Sequence, residues 1–120
     1  MSFAEHIKSV VDGVAGAEAG MVIGFDGLPV ETYSIEGSEL DLESVGAEIS
    51  ARVRDMFALS EELGLGQVEE FVLRSSKATI LVRLLNDEYC LLIALRSTRD
   101  FGRGRFLMRT IVPRVLAEFD

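Results

Sequence analysis

The chain has 120 residues, the length of one ordinary domain, and can bury a core without a stabilising metal or disulfide. Its single cysteine, Cys90, excludes an intramolecular disulfide and any CxxC metal or redox motif. The sequence has no signal-peptide pattern and no apolar run near the ~20 residues of a membrane span. We therefore expect one cytoplasmic domain over residues 1–120, without membrane insertion.

The formal net charge is −8, and the charges are unevenly distributed. Residues 1–70 contain fifteen acidic and three basic residues, whereas residues 71–120 contain five acidic and nine basic ones. The acidic total argues against nucleic acid as a partner and is compatible with a basic protein partner. The apolar share, counted with glycine, exceeds that of ordinary domains, as in small domains that bury apolar surface between subunits.

The first predicted element is a helix over about residues 3 to 12. Ser2 and Glu5 form a capping box, in which each side chain accepts a hydrogen bond from the other residue's backbone N–H. Apolar residues follow at helical spacing: Phe3, Ile7, Val10, Val11 and Val14. The next stretch, GVAGAEAG (13–20), is expected to be a connector of small residues.

The Asp26-Gly27 pair predicts a β-hairpin between strands of about 20–25 and 28–35. The favoured two-residue turn would place both residues at positive φ. Pro29 has no N–H to donate, so its strand is expected at an edge of the sheet.

The longest helix is expected to begin at Asp41 or Ser38, either of which can cap it, and to end at Gly64. One stripe, spaced by three or four, is expected to face the sheet: Leu42, Val45, Ile49, Val53, Met56, Ser60 and Leu63. The outer face then consists of Glu48, Ala51, Asp55, Ala58 and Glu62, flanked by Arg54.

Three strand-like runs follow, QVEEFVLRS, KATILVRLL and EYCLLIALR. The turns between them are short, which forces antiparallel neighbours. A last helix is expected over about 101–119, kinked by Pro113 near Arg109. The order α-β-β-α-β-β-β-α predicts an α+β fold, a five-stranded antiparallel sheet sandwiched by helices.

The third strand follows a helix crossover and is expected at the sheet edge far from the first hairpin. An apolar edge strand without proline tends to pair with strands of other chains and to aggregate unless it already has a partner. We therefore expect a homodimer in which two third strands join into one continuous sheet. The expected interface residues are Glu69, Phe71, Val72, Leu73 and Arg74.

No arrangement of side chains predicts catalysis, a metal site or a cofactor, so we do not expect an enzyme. His6, the only histidine, is expected at the surface with no group to orient it. Asp87 and Glu88 are typical of a solvated turn. The stretch FGRGRF (101–106) offers two arginines to an anion at a helix start, but lacks phosphate-loop spacing.

The order of elements and two segments resemble the roadblock family of dynein light-chain type, and within it the bacterial MglB-type proteins. The segments are GVAGAEAGMVIGFDGLPVE (13–31) and DEYCLLIALRSTRDFGRGRFLMRTIVPRV (87–115). Their more specific positions are Gly13, Gly16, Asp26, Gly27, Pro29, Gly102 and Arg105.

This resemblance implies homodimers joined through their third strands, with paired second helices forming a platform for a small Ras-like GTPase. For the MglB branch it implies faster GTP hydrolysis by an MglA-type GTPase, without a donated catalytic arginine, in cell polarity or motility. The outer face of the long helix would then contact the GTPase.

Two alternatives stay open. One is a dimeric scaffold that recruits a GTPase or another complex without altering hydrolysis. The other is an enzyme or small-molecule sensor that uses the 101–106 anion site.

Overall fold

The elements follow one another in the predicted order in the computed structural model, which describes residues 2–96 and 101–119. They are α1 (Phe3–Asp12), β1 (Ala17–Gly24), β2 (Pro29–Ser34), α2 (Leu42–Glu62), β3 (Glu70–Arg74), β4 (Thr79–Leu84), β5 (Tyr89–Leu95) and α3 (Phe101–Ala117). The Ser2–Glu5 capping box of α1 is present. No helix within the described residues is both long and apolar enough to cross a membrane.

The five strands form one antiparallel sheet in the order β2-β1-β5-β4-β3. The predicted α+β architecture is therefore confirmed. Pro29 begins β2 at one edge, where its missing donor costs no ladder hydrogen bond. The other edge is β3, as its position after the long helix predicted.

Helices cover both faces of the sheet. On one face, α1 and α3 pack over a core that includes Ile7, Val22, Leu91, Met108 and Ile111. On the other face, α2 packs over a core that includes Met21, Val53 and Leu92. Because alternate strand residues point to opposite faces, the central strands β1 and β5 are buried almost throughout.

Strand β1 begins earlier than predicted, so half of the supposed small-residue connector is buried sheet. All eight residues from Ala17 to Gly24 are buried. A Cβ added at Gly20 would lie 2.9 Å from Ile7 Cγ2 and 3.1 Å from Val11 Cγ2. The small residues are there because α1 lies almost directly on this strand.

The hairpin turn differs from the predicted type. Gly27 has φ of +88°, but Asp26 does not have positive φ. The Gly27 N–H donates to the Gly24 carbonyl at 2.9 Å, and the pairing register shifts between Val22 and Ile23. This is the longer hairpin loop, in which a type I turn is followed by one left-handed glycine and a bulge.

Asp41, not Ser38, caps α2, and its Oδ1 accepts from the Ser44 N–H at 3.3 Å. The prediction that the whole stripe faces the sheet is wrong in its second half. Leu42 and Val53 are buried, but Met56 is 42% exposed and Leu63 is 62% exposed. The C-terminal turns of α2 extend past the covered sheet, towards the β3 edge.

Candidate functional site

Among residues 2–96 and 101–119, no group of three His, Cys, Asp or Glu residues is placed to hold a metal ion. Cys90 lies in the core, where burial raises the pKa of its thiol to about 12. The thiol is therefore protonated and shielded at neutral pH.

The prediction that His6 lies at the surface is wrong. Its side chain is buried between α1 and the end of α3, and its Nε2 lies 3.4 Å from Glu118 Oε1. The sequence signal was weak, because His6 lies beside the Ile7–Val10 stripe and is covered only when α3 returns over α1. This contact ties the two helices together and belongs to the fold.

The outer face of α2 is open to solvent, as the helical spacing predicted. Glu48, Arg54, Asp55, Ala58 and Glu62 are exposed, and Ala51 is half-buried. The structure thus brings these six residues onto one helix surface about four turns long. Glu48 pairs with Arg52 at 3.2 Å along the same helix.

Arg54 differs from the other outer-face residues because it points towards the β4–β5 turn. It lines a cleft of about 360 Å³ together with Phe57 and Asp87. It also borders a second cleft, formed with Asp26 and Glu88. The acidic turn residues and the hairpin thus border this flank of the outer face.

Strand β3 presents two different sides at the sheet edge. Phe71 packs against the α2 core, and Val72 packs against the core under α1 and α3. Leu73 is 43% exposed and Arg74 is exposed. Glu69 lies just before the strand. The structure therefore brings the five predicted interface residues together at one open edge.

An exposed apolar surface lies beside this edge, and it was not predicted. Leu59, Leu63 and Leu65 are 42%, 62% and 75% exposed. With Met56 and Phe71 they line a groove of about 280 Å³. Leu59 and Leu65 do not belong to the predicted stripe. Two leucines outside that stripe were the feature of the sequence that could have indicated a second apolar surface.

The two arginines of FGRGRF are both engaged within the chain. Arg103 Nε donates to the Gly13 carbonyl at 2.7 Å, which joins α3 to the end of α1. Arg105 pairs with Glu70, with its Nη2 2.9 Å from Oε1. A protein carboxylate thus already occupies the position that the sequence offered to a free anion.

Residues 4–95 match the family model described as Roadblock/LC7 domain. The chain belongs to this family. The roadblock resemblance is therefore confirmed, and so is the fold that it implied. Comparison with curated proteins returned no match.

Solved roadblock structures agree with this assignment. The structure of MglC from Myxococcus xanthus is 39% identical, covers 98% of this chain and 99% of its own, and superposes with a TM-score of 0.71. Gliding protein MglB from Thermus thermophilus is 14% identical, with 95% and 85% covered and a TM-score of 0.84. Myxococcus xanthus MglB is 12% identical, with 99% and 98% covered and a TM-score of 0.81. The MglB matches show the shared fold, whereas the similarity to MglC extends to the sequence.

Proposed function

We propose that this roadblock protein is a cytoplasmic homodimer that binds a small Ras-like GTPase of the MglA type. The dimer accelerates GTP hydrolysis by that GTPase, in a process such as cell polarity or motility. The observation that carries the proposal is the unpaired, apolar β3 edge beside an exposed apolar surface on α2. Membership of the roadblock family supports the partner class.

The β3 edge needs a partner on physical grounds. Strand β3 pairs with β4 on one side only, so the backbone groups of its other side point outward. The strand contains no proline, and Phe71, Val72 and Leu73 follow one another along it. An edge of this kind joins another strand unless something covers it.

A second copy fits the edge in one register especially well. If the two-fold axis passes through Val72, Glu70 lies opposite Arg74 of the second copy, and Phe71 lies opposite Leu73 of the second copy. Opposite charges and apolar side chains then face each other across the axis, each of which stabilises a strand pair. Moving the axis by one residue, to Phe71 or to Leu73, would lose the match between Glu70 and Arg74.

The exposed apolar surface of α2 lies on the same side of the molecule as the edge. Joining two β3 strands brings two copies of Met56, Leu59 and Leu63 towards each other across the axis. Their burial would remove from water the apolar surface left exposed in a single chain. The two α2 helices then lie side by side, and their outer faces form one surface.

That joint surface is the GTPase platform of this proposal. Ala51 and Ala58 lie two turns apart and let another protein approach the helix closely. Glu48, Asp55 and Glu62 offer negative charge to basic residues of the partner. One GTPase placed across both helices gives a complex of two chains with one GTPase.

Cysteine scanning of β3 tests the dimer. Cys90 is buried and needs no replacement. We expect Val72→Cys to form an intermolecular disulfide under mild oxidation, because opposite Cβ atoms at the axis lie about 4.5–5.5 Å apart. Phe71→Cys and Leu73→Cys are the matched controls, and they should not cross-link. Light scattering that gives the 13.2 kDa monomer mass at micromolar concentration would refute the dimer.

Ala51→Arg tests the platform. The large charged side chain should abolish GTPase binding, measured by calorimetry, while leaving the dimer mass and melting temperature almost unchanged. Undiminished binding would place the GTPase elsewhere. Loss of the dimer would assign Ala51 to the subunit interface.

A further inference from the structure

Helix α3, on the sheet face opposite α2, concentrates positive charge in a chain of net charge −8. Helix α3 contains four arginines and no acidic residue between Phe101 and Ala117. Arg103 and Arg114 lie towards α1, whereas Arg105 and Arg109 lie towards the β3 edge. The second pair borders a cleft between α3 and that edge.

A carboxylate already sits in that cleft, held by two guanidinium groups. Glu70 Oε2 lies 3.0 Å from Arg83 Nη1 and 3.1 Å from Arg105 Nε, and Oε1 lies 2.9 Å from Arg105 Nη2. Arg105 thus binds the carboxylate through two parallel hydrogen bonds, which is the strong geometry for this pair. This contact shows how the cleft accommodates an acidic side chain.

More positive charge surrounds Glu70 than it can neutralise. Arg109 lines the same cleft, of about 140 Å³, and no described carboxylate lies within ion-pair distance of it. The lining of the cleft thus carries three guanidinium groups, of Arg83, Arg105 and Arg109, against the one carboxylate of Glu70.

Apolar surface continues the cleft along α3. Phe106, beside the arginines, is 55% exposed. A second cleft, of about 330 Å³, shares Arg83 and is lined by Val112 and Leu116, with Glu69 at the strand edge. From Gly102 to Leu116 the groove follows α3 for about 21 Å.

We propose that this groove between α3 and the β3 edge binds an acidic segment of a partner protein, one that carries apolar side chains between its carboxylates. A carboxylate of the segment pairs with Arg109, next to the existing Glu70–Arg105 pair, and the apolar side chains cover Phe106 and Leu116. The groove lies on the sheet face opposite α2 and is complete within one chain. It therefore does not use the GTPase platform.

The chemistry of the groove favours a peptide over other anions. A phosphate would not use Phe106, Val112 or Leu116. Nucleic acid and anionic membranes are large surfaces of dense negative charge. They would also come close to the rest of this chain, whose net charge of −8 would repel them. Alternating carboxylates and apolar groups match both halves of the groove, as in other helix-in-groove complexes.

The test uses a fluorescent peptide of glutamate and leucine, about 16 residues long to span the groove as a helix, titrated with the full chain and followed by anisotropy. Arg109→Glu is the test variant, because this exposed side chain makes no described contact that its loss would break. Arg114→Glu is the matched control, since it makes the same charge change on the same helix outside the groove. A peptide with every glutamate replaced by glutamine tests the need for charge, and Phe106→Ser tests the apolar contact.

We expect the wild-type protein to bind the acidic peptide and not the glutamine peptide. Arg109→Glu should weaken binding about tenfold or more, Phe106→Ser about threefold, and Arg114→Glu less than about twofold. Equal weakening by both arginine variants, or no binding by wild type, would overturn the proposal. So would binding to phosphatidylserine vesicles but not to the peptide, which would assign the face to a membrane. Self-association of wild type that Arg109→Glu abolishes, without peptide binding, would assign it to a second copy.

Discussion

Replacing Gly20 by alanine tests how closely α1 lies on the sheet. The new Cβ would lie 2.8 Å from Ile93 Cδ1, 2.9 Å from Ile7 Cγ2 and 3.1 Å from Val11 Cγ2. Carbon atoms in contact are normally about 3.5–4.0 Å apart. Two of the three neighbours are methyl groups of β-branched helical residues, which have essentially one χ1 rotamer and cannot turn away.

The net cost follows from two opposing effects. Overpacking a filled core costs about 1–3 kcal/mol. Replacing a glycine inside a strand recovers about 0.5–1 kcal/mol of backbone entropy. Taking the middle of each range, we expect Gly20→Ala to lower the free energy of unfolding by about 1 kcal/mol.

Gly102→Ala is the matched control, because a Cβ there meets no described atom within 4 Å. In helix α3 it should leave stability unchanged or raise it by up to about 1 kcal/mol. Urea unfolding followed by circular dichroism, at one fixed protein concentration, measures both variants. Equal stability of Gly20→Ala and wild type would show that α1 does not lie this close to β1.

Three further predictions concern the core, the subunit interface and the α2 cap. Burial raises the pKa of the Cys90 thiol to about 12. The thiol should therefore resist Ellman's reagent at about pH 8 in the folded protein and react fully in guanidinium chloride. Rapid labelling of the native protein would contradict its burial. Leu63→Asp should shift the dimer towards monomer in light scattering without loss of helix content, whereas Leu28→Asp, a similarly exposed site at the hairpin, should leave the dimer intact; equal effects would contradict the interface. Hydrogen bonds from Ser44 lower the pKa of Asp41 below 3.8, so its contribution to stability is present above that pH and is lost as pH falls through the lowered value; wild type should therefore lose stability relative to Asp41→Asn on acidification below about pH 4, and parallel pH curves would contradict the cap.

Local rules predicted most of the fold. The Ser2–Glu5 box, the Asp41 cap and the short turns around β4 and β5 each act within a few residues. Pro29 assigned β2 to an edge because proline removes one ladder donor. Neighbouring residues of a strand point to opposite faces, and Phe71 and Val72 accordingly pack against different cores.

Apart from the turn type at Asp26-Gly27, the errors depend on contacts between segments distant in sequence. Whether Met56 and Leu63 are buried depends on how far the sheet extends under α2. The spacing of apolar residues along a helix gives no information about that distance. His6 is buried only because α3 returns to cover it. The Gly20 stretch is strand because α1 packs against it, and small residues alone are equally typical of a loop. The charge cluster around Glu70 joins β3, β4 and α3, so no single stretch of sequence revealed it.

The proposed regulatory role is tested most directly by GTP hydrolysis. An MglA-type GTPase loaded with GTP is assayed alone, with this protein in excess, and with Ala51→Arg in equal excess. Moving a catalytic group of the GTPase by about 1 Å changes its rate by about 100-fold, so we expect wild type to raise hydrolysis about tenfold or more. Ala51→Arg should leave the basal rate unchanged. A saturated complex that hydrolyses GTP at the basal rate would contradict the activating role and favour the role of a scaffold. If no complex forms at all, the GTPase platform itself is contradicted.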